Sequence, residues 1–536
     1  MKGKPTLKLK TIFFVVAVLA SFGLAKHSWA GSCNGTTCTG SSPWTAVSPQ
    51  WADVNHCVSV CAQPGDTVNI PPGTATWTQA FHAPDARCAD SAGNHWNQVG
   101  GLCINKGINL IGAGIGKTII TSNLTGAAAM IVYNPSFASD EAFRISGFSF
   151  DLNATTSLIF LGAWGKQGPY QVQTKIRIDH NHVYSSSPPS VNLHFIMEMP
   201  GMYGVVDNNL IENLCMPFSS DSGIMTPSLW NSWNSSEYPG WEYIPGDKYV
   251  LMHEDNTINF GDCSDRTDVS IVSDGAYSCR YAYRYNTLNM KRDGIPVFDQ
   301  HGNYWWGDPN NKSNMYSCFG MEIYGNDEIR NGIGTSYIDA RDGRDMIFYN
   351  NNLGPYRYWN ECNGDQNTWP VTYPPGQDSR DSYAFNNRSG PTGTEYGASY
   401  NPYCSPVCVG HCDAPQENVN FWKYNLGAGF DGTSGIGCGT YSTMAAITNC
   451  IQGVGFWVPN DGVGSCADIT GYVGAGHTKN INGVLYRCDA NRQWVSYYTP
   501  YQYPHSLRTD CINYPTLCDQ NSDTTPPAAP SGLTVN

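Results

Sequence analysis

Short strings in which apolar and polar residues alternate recur along this chain, and each ends on an asparagine with another aliphatic residue shortly after it. In order they are IRIDHNHV to Val183, GVVDNNLI to Ile211, LMHEDNTI to Ile258, YAYRYNTL to Leu288, MEIYGNDEI to Ile329 and MIFYNNNL to Leu353. The asparagines are Asn181, Asn209, Asn256, Asn286, Asn326 and Asn351, spaced 28, 47, 30, 40 and 25 residues apart. Hairpin strands would recur every ~8–12 residues. Strands tens of residues apart, with no helical period between them, predict the stacked coils of a solenoid. The expected fold class is all-β: a right-handed parallel β-helix with disulfide-stapled loops and a C-terminal cap.

The asparagines have a physical reason. A coil must turn sharply after its strand, and asparagine tolerates the left-handed backbone conformation better than other non-glycine residues. In coils stacked ~4.8 Å apart, successive asparagine amides can hydrogen-bond as a ladder along the solenoid.

These strings, with GDTVNIPPGTATWT at Gly65–Thr78 and INLIGAGIGKTII at Ile108–Ile120, resemble the pectin-lyase-like right-handed parallel β-helix proteins of bacteria. EDNTI, YRYNTL, DQHG and MEIYGN follow in the order of an uncharacterised secreted subgroup, and YYTPYQYPHSLR at Tyr497–Arg508 is similar to its closing motif. The resemblance spans roughly 64–508. It implies the fold and an extracellular setting; the fold hosts lyases, hydrolases, esterases, adhesins and phage spikes, so it fixes no activity.

The first thirty residues read as a cleaved export signal. Lys2, Lys4, Lys8 and Lys10 precede an apolar run at 12–25, and Ser28-Trp29-Ala30 fits a small-x-Ala cleavage site. Fourteen apolar residues are too few to span a bilayer, so no membrane span is expected. The 20 cysteines all follow the signal, which fits an oxidising, extracellular destination. Cys404, Cys408, Cys412 and His411 are the one run with a hint of metal spacing, but structural zinc uses two separated knuckles. The formal charge of −14 includes five lysines of the signal, so the rest of the chain lies near −19. Such a field repels nucleic acid and leaves a polyanionic substrate in need of a cation or an arginine cluster.

Five segments follow from these shifts: 1–30 the signal, 31–64 a lead-in that caps the first coil, 65–384 the β-helix, 385–518 a Cys-, Gly- and Tyr-rich cap on its C-terminal end, and 519–536 a Pro-rich tail. The tail, SDTTPPAAPSGLTV, resembles the opening of a fibronectin type III domain. Long insertions interrupt the coils at 214–248, 261–279, 290–317 and 355–384. Insertions leave a solenoid from one or two faces, and such faces commonly bind.

Three clusters are candidates for chemistry. IDARDGRD at 338–345 gathers Asp339, Arg341, Asp342, Arg344 and Asp345; Asp339, Asp342 and Asp345 are the carboxylates available for Ca²⁺, with Arg341 placed for a uronate. In DQHG, Asp299 and His301 lie two apart on a strand and so share a face, as an acid–base pair requires. This element is similar to the His-Gly element of polygalacturonases, though no Arg-x-Lys follows. Arg177-Ile178-Asp179-His180 resembles the W-I-D-H strand of pectate lyases. Glu254, Asp255 and Glu322 lie beside coil asparagines, and carboxylates on neighbouring coils fall in the separation glycosidases use. The catalytic candidates are Asp299, His301, Glu322, Asp339 and Arg341. Trp230, Trp233, Trp241, Trp305, Trp306 and Trp359 in the insertions suit stacking on sugar rings. The expected partner is an extracellular polysaccharide, in a groove floored near Glu254, Arg284, Asp299, His301, Glu322 and Asp339. Two functions fit: a polysaccharide lyase or glycoside hydrolase, and a non-catalytic glycan-binding, adhesive or structural surface protein.

Overall fold

The computed structural model describes residues 30–79, 88, 100–125, 129–135, 138–153, 155–162, 172–188, 194–198, 201–220, 244–261, 272–275, 279–290, 295–301, 319–330, 336–341, 344–352, 357–362, 380–388, 395–396, 416–423, 429–460 and 482–518. The proposed signal and the Pro-rich tail lie outside them, apart from Ala30.

Three sheets, parallel except for the Thr37–Thr39 edge of sheet A, run side by side, and from Thr67–Ile70 to Ser336–Arg341 the chain visits A, B and C in turn. Sheet A has 14 strands, sheet B 8 and sheet C 9. The chain is therefore a parallel β-solenoid, as the spacing of the asparagines predicts. The lead-in takes part in it: Ala30–Asn34 and Ser41–Ala46 extend sheet A ahead of Thr67–Ile70.

Alternation along each strand builds the core. In sheet B the inward row is Ile120, Phe150, Val183, Ile211, Ile258 and Leu288, every member essentially buried. In sheet A it is Leu110, Ile145, Ile178, Val206, His253, Tyr283, Ile323 and Phe348. Stacked coils thus form continuous apolar rows, and burial of those rows is the main favourable term for a fold with little helix.

The corner between sheets A and B carries the asparagine ladder. The side-chain oxygen of Asn209 accepts from both the backbone N–H and the side-chain amide of Asn181, at 3.0 and 3.1 Å. The same pair of bonds repeats from Asn209 to Asn256, to Asn286, to Asn326, to Asn351 and on to Asn387. Each amide from Asn209 onward also donates to a carbonyl of the preceding coil, for example Asn286 to His253 at 2.9 Å. One detail of the sequence reading changes. The left-handed residue is not the ladder asparagine but the one before it: His180, Asn208, Asp255, Tyr285, Gly325, Asn350 and Asn386, with φ between 52° and 66°. The two jobs of the corner, turning and hydrogen bonding, fall to adjacent positions.

Beyond the last coils, Ile436–Cys438, Gly455–Pro459, Gly483–Cys488 and Trp494–Tyr498 form a small four-stranded sheet. Trp457 packs on Tyr349 and Phe385, so this unit sits on the outer face of sheet A. Cysteines 33–57, 38–61, 88–103, 450–488 and 511–518 are paired, and Cys215, Cys279 and Cys438 are disulfide-bonded as well. Among the described residues no helix is long and apolar enough to cross a membrane.

Candidate functional site

The outer face of sheet A holds much of the described charge. One row runs Ser146, Asp179, Asp207, Glu254, Arg284 and Tyr324; the row beside it runs Arg144, Arg177, Val205, Met252, Ala282 and Glu322. Three acids in succession, one strand spacing of ~4.8 Å apart, repel one another unless cations intervene. Arg144 is bidentate to Asp179, at 2.7 and 2.5 Å, and Arg177 is bidentate to Asp207, at 2.9 and 2.8 Å. Arg284 pairs with Glu254 at 2.5 Å.

The remaining cation comes from the far end of the chain. After Tyr498 the chain turns back and runs over sheet A toward the N-terminal coils. Tyr497 donates to Asp345 at 2.6 Å and Tyr498 to Glu322 at 3.1 Å. Arg284 donates to the carbonyls of Tyr501 and Gln502, and Tyr503 donates to Asp255. Arg508 reaches Asp207 at 3.2 Å and both Glu254 and Asp255 at 2.7 Å. Farther on, Arg177 donates to the carbonyl of Leu517 and Arg144 to that of Thr516. Leu507 and Leu517 cover the apolar patch of Val205, Met252 and Ala282. The 497–518 segment is a strap that closes this face.

Electrostatics follow from that closure. Burial would raise the Glu254 carboxyl, but Arg284 and Arg508 outweigh it and hold it at about 2. Asp179, also opposed by burial, is held far below the usual carboxylate range by Arg177 and Arg144. In Asp207 burial wins against Arg177 and Arg508, and its carboxyl is pushed up. His253 in the core and His505 under the strap are both lowered by burial to about 3 and so are neutral at pH 7. These groups are consumed by the fold. The R-I-D-H string at Arg177–His180 belongs to this network, and Glu254 and Arg284 lie under the strap instead of flooring a groove.

Glu322 is placed there too. It lies in Phe319–Tyr324 of sheet A, fully buried, with Gly246 N–H and Tyr498 as donors. It is thus apart from the other four acid–base candidates. Those four lie in sheet C, on adjacent strands Ile295–His301 and Ser336–Arg341. Asp299 is in register with Asp339, and His301 with Arg341. Two acids, an imidazole and a guanidinium thus occupy a two-by-two block of register positions. The acidic row continues to Asp274 on one side and gives way to the neutral Asn360 on the other. Sequence reasoning did not single out Asp274, since it falls in the 261–279 insertion and only register reveals the row.

Of the expected calcium ligands, Asp339 is in sheet C, whereas Asp345 is the second residue of strand Arg344–Tyr349 in sheet A and accepts from Tyr497. The described pair is therefore divided between two sheets, and Asp342 lies outside the described residues. Among the aromatic candidates, Trp230, Trp233, Trp241, Trp305 and Trp306 also lie outside them. Trp359 occupies the register row of Phe298 and Ile338, one residue from that of Asp299.

No known family matches the chain, and no curated protein does. A solved chain described as Geobacillus virus E2 ORF18 aligns at 14% identity and a TM-score of 0.22, over 67% of this chain and 62% of its own length.

Proposed function

We propose that this is an exported β-solenoid protein that engages an extracellular polysaccharide along the C-terminal coils of sheet C. One observation carries the reading: the register that brings Asp299, His301, Asp339 and Arg341 together on neighbouring strands, while the described charge of sheet A is tied into the strap. A carboxylate and an imidazole two residues apart offer a base and an acid on one face. Across the strand, a guanidinium offers a bidentate hold on a carboxylate or a diol. The block therefore suits either a lyase or hydrolase acting on a uronate-containing chain or a site that only retains one. The cysteine pairs of the lead-in and cap support the extracellular setting.

The test is a screen of plant, algal and bacterial polysaccharides for retention and for cleavage, with and without Ca²⁺. Arg341→Ala is expected to weaken retention at least about tenfold, the loss of one charge-assisted pair. Asp299→Asn and His301→Ala are expected to abolish cleavage if there is turnover. Retention without cleavage in every case assigns the non-catalytic role.

A further inference from the structure

The lead-in holds a group that the glycan reading does not use. The exposed Cys38 lies on strand Thr37–Thr39, and His56 and Cys61 lie on the helical stretch Trp51–His56 and Cys57–Cys61. The second part of that stretch is π-helical: the Ala62 N–H donates to the Cys57 carbonyl, five residues back, at 2.8 Å. Such turns are rare and gather at functional sites. Here the wide turn sets His56 and Cys61 toward one partner. Cys61 is bonded to Cys38, whose sulfur lies 3.6 Å from His56 Nε2. The three donor atoms all lie within 4.8 Å of one another.

We propose that the Cys38–Cys61 disulfide is reducible in the folded protein and that the reduced pair, with His56, binds zinc. An external dithiol attacks one sulfur, the S–S bond breaks, and the dithiol is oxidised to its own disulfide as two cysteine thiols form. An imidazole at this distance can hydrogen-bond the departing thiolate at Cys38. Zn²⁺ then displaces the two thiol protons, and neutral Nε2 supplies the third ligand, leaving a fourth position to water. Tetrahedral Zn–S and Zn–N bonds place sulfur and nitrogen about 3.5 Å apart, close to the separation already present. His56 therefore needs little movement, while the two sulfurs, once the bond opens, separate to about 3.8 Å to share one tetrahedral zinc. Cys33–Cys57 joins the neighbouring strand Ala30–Asn34 to the same helical stretch and is fully buried. The turn before Cys38 is fixed independently, by Asn34 Oδ1 accepting from the N–H groups of Thr36 and Thr37.

The experiment reduces the full-length protein with graded dithiothreitol, removes the reductant without air, and titrates with Co²⁺ and then Zn²⁺. Wild type is expected to show thiolate-to-cobalt absorption that zinc bleaches. The Cys38→Ser/Cys61→Ser double variant, which keeps Cys33–Cys57, is expected to show none. His56→Ala, which keeps both disulfides when oxidised, is expected to weaken zinc binding at least about tenfold. No band in reduced wild type, a band that persists in the double variant, or unchanged affinity in His56→Ala each overturns the proposal.

Discussion

Sheets A and C are made by the same coils and both carry rows of ionisable residues, yet the rows stand in different relations to the rest of the chain. On sheet A, Asp179, Asp207 and Glu254 are each met by a guanidinium, and Arg508, the cation bridging Asp207 and Glu254, arrives on the strap. On sheet C, Asp274, Asp299 and Asp339 form an equally dense acidic row, with His301 and Arg341 beside it. Charge density alone therefore does not mark a binding face in a solenoid. On sheet A the chain supplies its own counter-charge, so that dense row is structural.

The largest effect should come from breaking the sheet A side. Arg508→Ala removes the cation between Asp207, Glu254 and Asp255, all buried. Asp207 keeps Arg177 and Glu254 keeps Arg284, but the cation shared by all three acids is lost; breaking a buried ion pair costs about 3–5 kcal/mol, which denaturant unfolding will read as a lowered midpoint. The same measurement on Asp299→Asn should change by less than about 0.5 kcal/mol if sheet C is the binding face proposed above.

The ladder comes next. Asn286→Ala removes the acceptor for two donors of Asn256 and the two bonds that its own amide makes to His253 and Asn326. With the backbone N–H of Asn256 left buried and unmet, and its amide keeping only the Val206 carbonyl, a loss of about 2–4 kcal/mol is expected in the same assay.

Acid should separate the faces more gently. The folded Glu254 carboxyl, at about 2, lies below its ordinary value of 4.5. Its contribution is therefore present above pH ~4.5 and is lost as the pH falls toward 2. His253, lowered to about 3, works in the same direction by another route: the unfolded imidazole gains a proton below ~6.5 while the folded one does not, so stability falls from there down to about 3. Asp207, pushed up, contributes nothing of this kind. A stability–pH curve should thus decline from about pH 6.5 downward, and Glu254→Gln should flatten the part below ~4.5. A wild-type curve level from pH 7 to 3 would contradict the charge assignments on sheet A.

Some of this was legible in the sequence and some was not. The solenoid was, because a ladder requires the same residue at every coil: Asn181 through Asn351 had to recur for their amides to meet, and recurrence is visible in one dimension. Asn387 belongs to the same ladder but sits outside the strings that announced it. The strap's contacts were not legible. Thr516 meets Arg144 across 372 residues, and Arg508 meets Glu254 across 254, with no periodicity linking the partners. That is why Glu254, Arg284 and Glu322 read as groove residues when they are the floor under a covered face. The block on sheet C lies between these extremes. Asp299 and His301 were paired by their spacing on one strand, whereas their register with Asp339 and Arg341 spans a whole coil, which spacing alone does not fix.

Sheet C, not sheet A, is the face proposed to meet a polysaccharide. The most direct measurement is calorimetric titration of the polysaccharide that the screen selects into wild type, Asp299→Asn/Arg341→Ala and Asn286→Ala. The sheet C double variant should lose at least about tenfold in affinity with an unchanged unfolding midpoint, while the ladder variant should keep its affinity below its own lowered midpoint. Full affinity in the sheet C variant, or no polysaccharide retained by wild type, would contradict the account.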